Sequence, residues 1–159
     1  MVILRFLLDT NIISEPFKLK PSPSVVAKLQ ENGGDSAIAS VTWHELLYGF
    51  HRIPPSRRKQ QLETYLFETI QPHLLILPYD KKAAEWFASE RARLAALGQP
   101  PSYVDGQIAA IAQVNNLILL TLPRLRYAKT VGFLFQRDSD EFTLRKHLDR
   151  MPYGCKSSN

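Results

Sequence analysis

The sequence predicts an α/β protein organised around a parallel sheet. Short apolar runs recur at residues 2–8, 36–41, 74–77 and 117–121. Segments with helical spacing of apolar residues fall between them. Strands separated by helices imply right-handed crossovers and hence parallel pairing. No internal repeat competes with this reading.

Taken in order, residues 2–8 form a near-continuous apolar run, as expected of a strand covered on both faces. Asp9-Thr10-Asn11 breaks the run with residues that favour helix caps, and 12–17 form a short helix before the Pro21/Pro23 loop. Pro23 near the first turn and Gly33-Gly34 as a stop bound a second helix. Residues 36–41 are the second strand, and 42–52 a helix ended by Pro54-Pro55. Residues 56–70 are helical, with Leu62, Tyr65, Leu66 and Thr69 at helical spacing. The third strand is 74–77. Residues 80–97 are the longest helix, closed by Gly98. Residues 102–116 form a further helix, with Val104, Ile108, Ile111, Ala112 and Asn115 along one side, and 117–121 the fourth strand. Past Thr121 the period is lost; 138–150 read as a polar helix and 151–159 as a frayed tail.

The 159 residues fit one domain, long enough to bury about two-thirds of the unfolded surface. A chain 45% hydrophobic and 22% charged is not a disordered one. No apolar run approaches the roughly 20 residues of a membrane span, and the apolar start lacks the basic region and cleavage site of a secretory leader. The single cysteine, Cys155, excludes an internal disulfide and a cysteine-based metal cluster. A reduced, cytoplasmic location and no membrane partner are therefore expected. The net charge of +5 permits a polyanionic partner without requiring one. It is unevenly spread: residues 1–121 carry 12 Lys+Arg against 11 Asp+Glu, whereas 122–159 carry 8 against 4.

In open parallel sheets ligands sit beyond the carboxyl ends of the strands. Three acids stand at such boundaries: Asp9, Glu45 and Asp105. Each has a capping reading. Asp9 can cap the helix after the first strand, Thr42-Trp43-His44-Glu45 has the capping-box pattern, and Ser102-Tyr103-Val104-Asp105 matches it loosely. The topology nevertheless brings all three into one crevice. Carboxylates about 4 Å apart repel by about 4 kcal/mol at an effective dielectric of about 20, so such a cluster needs protonation or a cation. Oxygen donors without His or Cys suit Mg²⁺ or Mn²⁺, the usual apparatus of phosphoryl transfer.

Other constellations point less sharply. His44, His51, His73 and His147 lack metal-ligand spacing, and neither GxxxxGK[ST] nor GxGxxG occurs. Arg52, Arg57, Arg58 and Lys59 flank Pro54-Pro55. They read as a solvated helix start or as contacts to a phosphate backbone; cations at a helix N-terminus oppose its dipole.

Three blocks resemble one family. Leu7-Leu8-Asp9-Thr10-Asn11-Ile12-Ile13-Ser14-Glu15, Thr42-Trp43-His44-Glu45-Leu46-Leu47-Tyr48-Gly49 and Pro101-Ser102-Tyr103-Val104-Asp105-Gly106-Gln107-Ile108-Ala109-Ala110-Ile111-Ala112 look like those of PIN-domain ribonucleases, most of all the VapC-type toxins of bacterial toxin–antitoxin pairs. The resemblance covers residues 2–121. It implies a three-layer α/β/α fold with a central sheet of four or five strands, Mg²⁺-dependent RNA cleavage, a homodimer, and inhibition by a VapB-like antitoxin. Asp9 and Asp105 match the metal-holding aspartates. Glu45 matches the middle acid, and Asn11 the orienter of Asp9. In this reading Arg52, Arg57 and Arg58 grip RNA.

The pattern departs after Thr121, where the family usually supplies a fourth acid. Here Leu122-Pro123-Arg124-Leu125-Arg126-Tyr127 follows, and no Asp occurs before Asp138. Residues 1–121 are therefore read as the PIN-like core and 122–159 as an atypical basic segment of the kind a reading-frame change near codon 121 would produce. Two alternatives stay open: a catalytically impaired protein that still binds an antitoxin, and a metal-dependent nuclease acting on DNA.

Overall fold

The computed structural model describes residues 3–121 and, beyond them, the backbone of 133–138 and 141–146. Strands β1 (Phe6–Leu8), β2 (Ser36–Ala39), β3 (Leu75–Leu77) and β4 (Ile118–Leu120) form one parallel sheet in the order β3-β2-β1-β4. In register, Leu8 pairs with Ile38 on one side and with Leu120 on the other. The first strand is shorter than its apolar run. Arg5 still continues the pairing: its N–H donates to the Asp35 carbonyl at 2.8 Å, and its own carbonyl accepts from the Ile118 N–H at 2.9 Å.

The helices are α1 (Thr10–Ile13), α2 (Pro23–Glu31), α3 (Ser40–Arg52), α4 (Arg57–Thr64), α5 (Gln71–His73), α6 (Lys81–Ala96) and α7 (Tyr103–Val114). A π-helical turn, Tyr65–Ile70, joins α4 to α5. Caps set several starts: Ser56 accepts from the Lys59 N–H, Asp80 from the Ala83 N–H and Ser102 from the Asp105 N–H. Gly98, at φ 72°, lies just past the end of α6.

Alternation along the strands sorts side chains into two cores. Leu7, Ala37, Ala39 and Leu119 pack with Ala83, Phe87 and Leu94 of α6 and with Ile108–Ala112 of α7. Leu8 and Ile38 pack with Ile12 and Ile13 of α1, Leu46 and Phe50 of α3, and Leu66 and Ile70 of the π turn. Helices thus cover both sheet faces, giving the expected three-layer α/β/α arrangement. Burying each such leucine or isoleucine contributes about 1.5–3 kcal/mol.

Two expectations are corrected. The Thr42–Glu45 capping box does not form, because α3 starts earlier, with Ala39 at the cap position. Thr42 lies inside the helix, fully buried, its Oγ1 without a hydrogen-bond partner. The polar helix expected over 138–150 is absent where the backbone is described: β5 (Phe133–Asp138) and β6 (Glu141–Lys146) pair antiparallel. The sequence Glu141-Phe-Thr-Leu-Arg alternates polar and apolar residues, a period that favours a strand. The tail expected over 151–159 lies outside the described residues.

Candidate functional site

Strand order places the switch point beside β1. From β1 the chain moves through β2 to β3 on one side, then returns as β4 on the other. Connections therefore diverge between β1 and β4, and the carboxyl ends of these strands are where open parallel sheets bind ligands. Asp9 and Thr121, the residues immediately after those two strands, meet there.

Asp9 is 4% exposed. It caps α1, as its capping reading requires, but its carboxylate does more. Oδ1 accepts from the Thr10 N–H at 2.8 Å, while Oδ2 accepts from Asn11 Nδ2 at 3.3 Å and Thr121 Oγ1 at 2.8 Å. The Asp9 N–H donates to the Leu120 carbonyl at 3.0 Å, tying the residue to β4. Burial raises the Asp9 carboxyl above its ordinary value; the hydrogen bonds from Thr121, Thr10 and Asn11 oppose the rise, and the charge of Asp105 adds to it. Asn11 is thus in contact with Asp9, and Asp9 and Asp105 are electrostatic neighbours.

Asp105 sits in the first turn of α7. Its N–H donates to Ser102 Oγ at 3.2 Å, and Ser102 Oγ donates to Asp105 Oδ2 at 2.7 Å. Ser102 therefore caps the helix and orients the carboxylate. Glu45 lies in the second turn of α3, where Oε2 accepts from Thr10 Oγ1. Thr10 bridges two acids, its N–H on Asp9 and its hydroxyl on Glu45. Among the described residues no three His, Cys, Asp or Glu side chains stand together as a ready metal-ligand group. Asp9 and Glu45 are linked through Thr10, and Asp105 adds a small electrostatic influence on Asp9. Their oxygen atoms are of the hard type that suits a divalent cation with water filling its remaining positions.

The basic residues divide. Arg58 Nη2 donates to the Phe17 carbonyl at 3.1 Å, and Lys59 Nζ to the Ile53 carbonyl at 2.8 Å, so both are engaged in holding loops. Arg52 lies over the Tyr48 ring, 5.4 Å from its centroid. Arg57 is exposed at the start of α4.

Sequence reasoning passed over Thr10 and Thr121. Thr10 lies between two residues already singled out, and its spacing carries no separate signal. Thr121 had one: it ends the strand that flanks β1.

Residues 6–122 match the PIN domain family. The tRNA(fMet)-specific endonuclease VapC of Shigella flexneri is 36% identical over 120 residues, which span 75% of this chain and 86% of the relative. The crystal structure of FitAcB from Neisseria gonorrhoeae superposes with a TM-score of 0.68 at 34% identity, covering 73% of this chain and 86% of that one. VapBC-5 from Mycobacterium tuberculosis, a member of the VapBC family of toxin–antitoxin systems, gives 0.59 at 25% identity, covering 79% and 89%. The family match reaches from β1 to just past β4, taking in every residue that holds Asp9 in place, and this chain belongs to the PIN-domain family.

Proposed function

We propose that the protein is a metal-dependent endoribonuclease and the toxic member of a toxin–antitoxin pair, held in check by a VapB-like antitoxin. One observation carries the reading: a buried carboxylate at the sheet's switch point, held by three donors. The endonuclease and toxin–antitoxin names of the relatives support it. Nucleases of the family use a divalent metal ion. We assign it as Mg²⁺ or Mn²⁺, because Asp9, Asp105 and Glu45 offer hard oxygen donors only.

Such an ion supplies charge neutralisation at a phosphate and a more acidic water. The chain's own residues prepare for it. Asn11, Thr121 and the Thr10 N–H fix the rotamer of Asp9. Ser102 fixes Asp105, and the Thr10 hydroxyl holds Glu45. The cost of burying Asp9 ionised is met where a cation can offset it.

The test uses purified full-length protein with single-stranded RNA and DNA of matched sequence. RNA cleavage is expected with Mg²⁺, none with EDTA, none from Asp9→Asn, and no cleavage of DNA. Cleavage surviving both EDTA and Asp9→Asn refutes the assignment, and cleavage of DNA alone moves it to a DNA nuclease.

A second reading draws on the end of the family match at residue 122. Residues 1–121 are assigned as the catalytic core and 122–159 as a divergent basic segment. If that segment replaces a needed acid, the protein keeps its antitoxin complex yet causes no growth arrest when overexpressed. Sequencing the coding DNA after codon 121 tests the origin of the segment. A shifted frame encoding an Asn-x-x-Asp-like stretch supports a frame change, and its absence from both frames refutes it.

A further inference from the structure

The outer face of α3 carries a strip with no role in either core. His44, Tyr48 and Arg52 recur every four residues, so they share one face. The His44 and Tyr48 rings are parallel to within 2°, with centroids 6.3 Å apart. The Arg52 guanidinium lies over the Tyr48 ring at 5.4 Å. All three are exposed, Tyr48 by 58%, while Leu46 and Phe50 on the inner face are buried. Glu45 precedes Tyr48 by three residues, so the strip starts beside one of the candidate acids.

We propose that His44, Tyr48 and Arg52 form a base-stacking strip that guides single-stranded RNA toward the acidic crevice. This rests on the ribonuclease reading above and extends it. An exposed tyrosine held parallel to an imidazole and flanked by a guanidinium offers flat faces to nucleobases and positive charge to phosphates. Glu45 lies near one end of the strip and Arg52 at the other, so the phosphates of a polyanion are drawn to the Arg52 end. Stacking of this kind tolerates sequence, because every base has a π face. A second copy of the chain is the poorer occupant. It would have to desolvate the Arg52 guanidinium, which rests over the Tyr48 ring.

The probe is a fluorescein-labelled single-stranded RNA oligonucleotide, titrated by anisotropy against Asp9→Asn protein at fixed salt. Adding Tyr48→Ala is expected to weaken binding about 10- to 100-fold. Tyr48→Phe should bind as the Asp9→Asn parent does, and Arg52→Ala should weaken binding and flatten its salt dependence. An abasic oligonucleotide should bind Tyr48→Ala and parent equally. Parent-like RNA affinity in Tyr48→Ala overturns the proposal, as does an equal loss on the abasic probe. Dissociation of a dimer by Tyr48→Ala in sedimentation also overturns it, by making the strip a subunit contact. Should wild-type protein neither bind RNA nor cleave it with Mg²⁺, the ribonuclease reading itself fails; should it cleave while Tyr48→Ala binds normally, only the strip fails.

Discussion

Gly106 follows Asp105 in the first turn of α7, where alanine would ordinarily strengthen a helix by about 1 kcal/mol. A Cβ at this position would stand 2.1 Å from both Cε2 and Cζ of Phe87 and 2.9 Å from Cδ2. Phe87 is 3% exposed, packed among Leu94, Ile108 and the sheet, so its ring cannot swing into solvent. Restoring normal contact requires more than an ångström of movement by the ring or by α7. Overpacking of this size costs about 1–3 kcal/mol or more. Against the helix gain, Gly106→Ala is expected to lose about 1–2 kcal/mol net, lowering Tm by about 3–8 °C. Because the displaced turn carries Asp105, RNA cleavage should fall as well. The measurement is a thermal and denaturant melt of four proteins: parent, Gly106→Ala, Phe87→Leu and the double variant. In the Phe87→Leu background the ring edge is gone, and alanine should become neutral or stabilising, a coupling of about 1–3 kcal/mol. A Gly106→Ala protein as stable as the parent, or equal losses in both backgrounds, would refute the packing argument.

Asp9→Asn should abolish cleavage while stabilising the metal-free fold. The folded carboxyl lies above its ordinary value, so the native state holds the proton more tightly than the unfolded chain. Stability is then lost as pH rises from the ordinary carboxylate range through the raised value. Melts in EDTA should place Asp9→Asn above the parent at neutral pH, with the gap closing on acidification; a gap that widens refutes the assignment. Thr121→Val removes a buried donor to Asp9, costing about 1–3 kcal/mol in urea melts and lowering cleavage, while Thr121→Ser should restore both. Ser102→Ala loses the α7 cap, about 1 kcal/mol, together with the hydroxyl on Asp105. Cleavage should drop by more than the small stability loss accounts for, and Ser102→Thr should recover it.

Much of the architecture was legible because the physics behind it is local. Continuous apolar runs bounded by caps marked all four parallel strands. Pro23, Pro54-Pro55 and Gly98 punctuated the helices near where they begin or end. Asp9 was legible as the polar stop after a buried strand. Thr42 misled because a capping pattern only proposes a helix start; β2 hands directly into α3 at Ser40, and tertiary packing takes the threonine inside. Residues 138–150 read as a polar helix, whereas 141–146 alternate polar and apolar side chains and pair as a strand. Thr10 and Thr121 escaped notice because their roles depend on partners 35 and 112 residues away, and sequence spacing does not encode such meetings.

The pairing of Thr121 with Asp9 also has a consequence for synthesis. β1 is made first, yet one of its two neighbours, β4, is made last among the four strands. A nascent chain can assemble β1, β2 and β3 and bury much of the α1/α3 core while Asp9 still lacks the hydroxyl from β4 and Asp105 has only just emerged. Such long-range closure is slow compared with local folding. A chain arrested short of residue 121 therefore lacks the hydroxyl that anchors the Asp9 carboxylate.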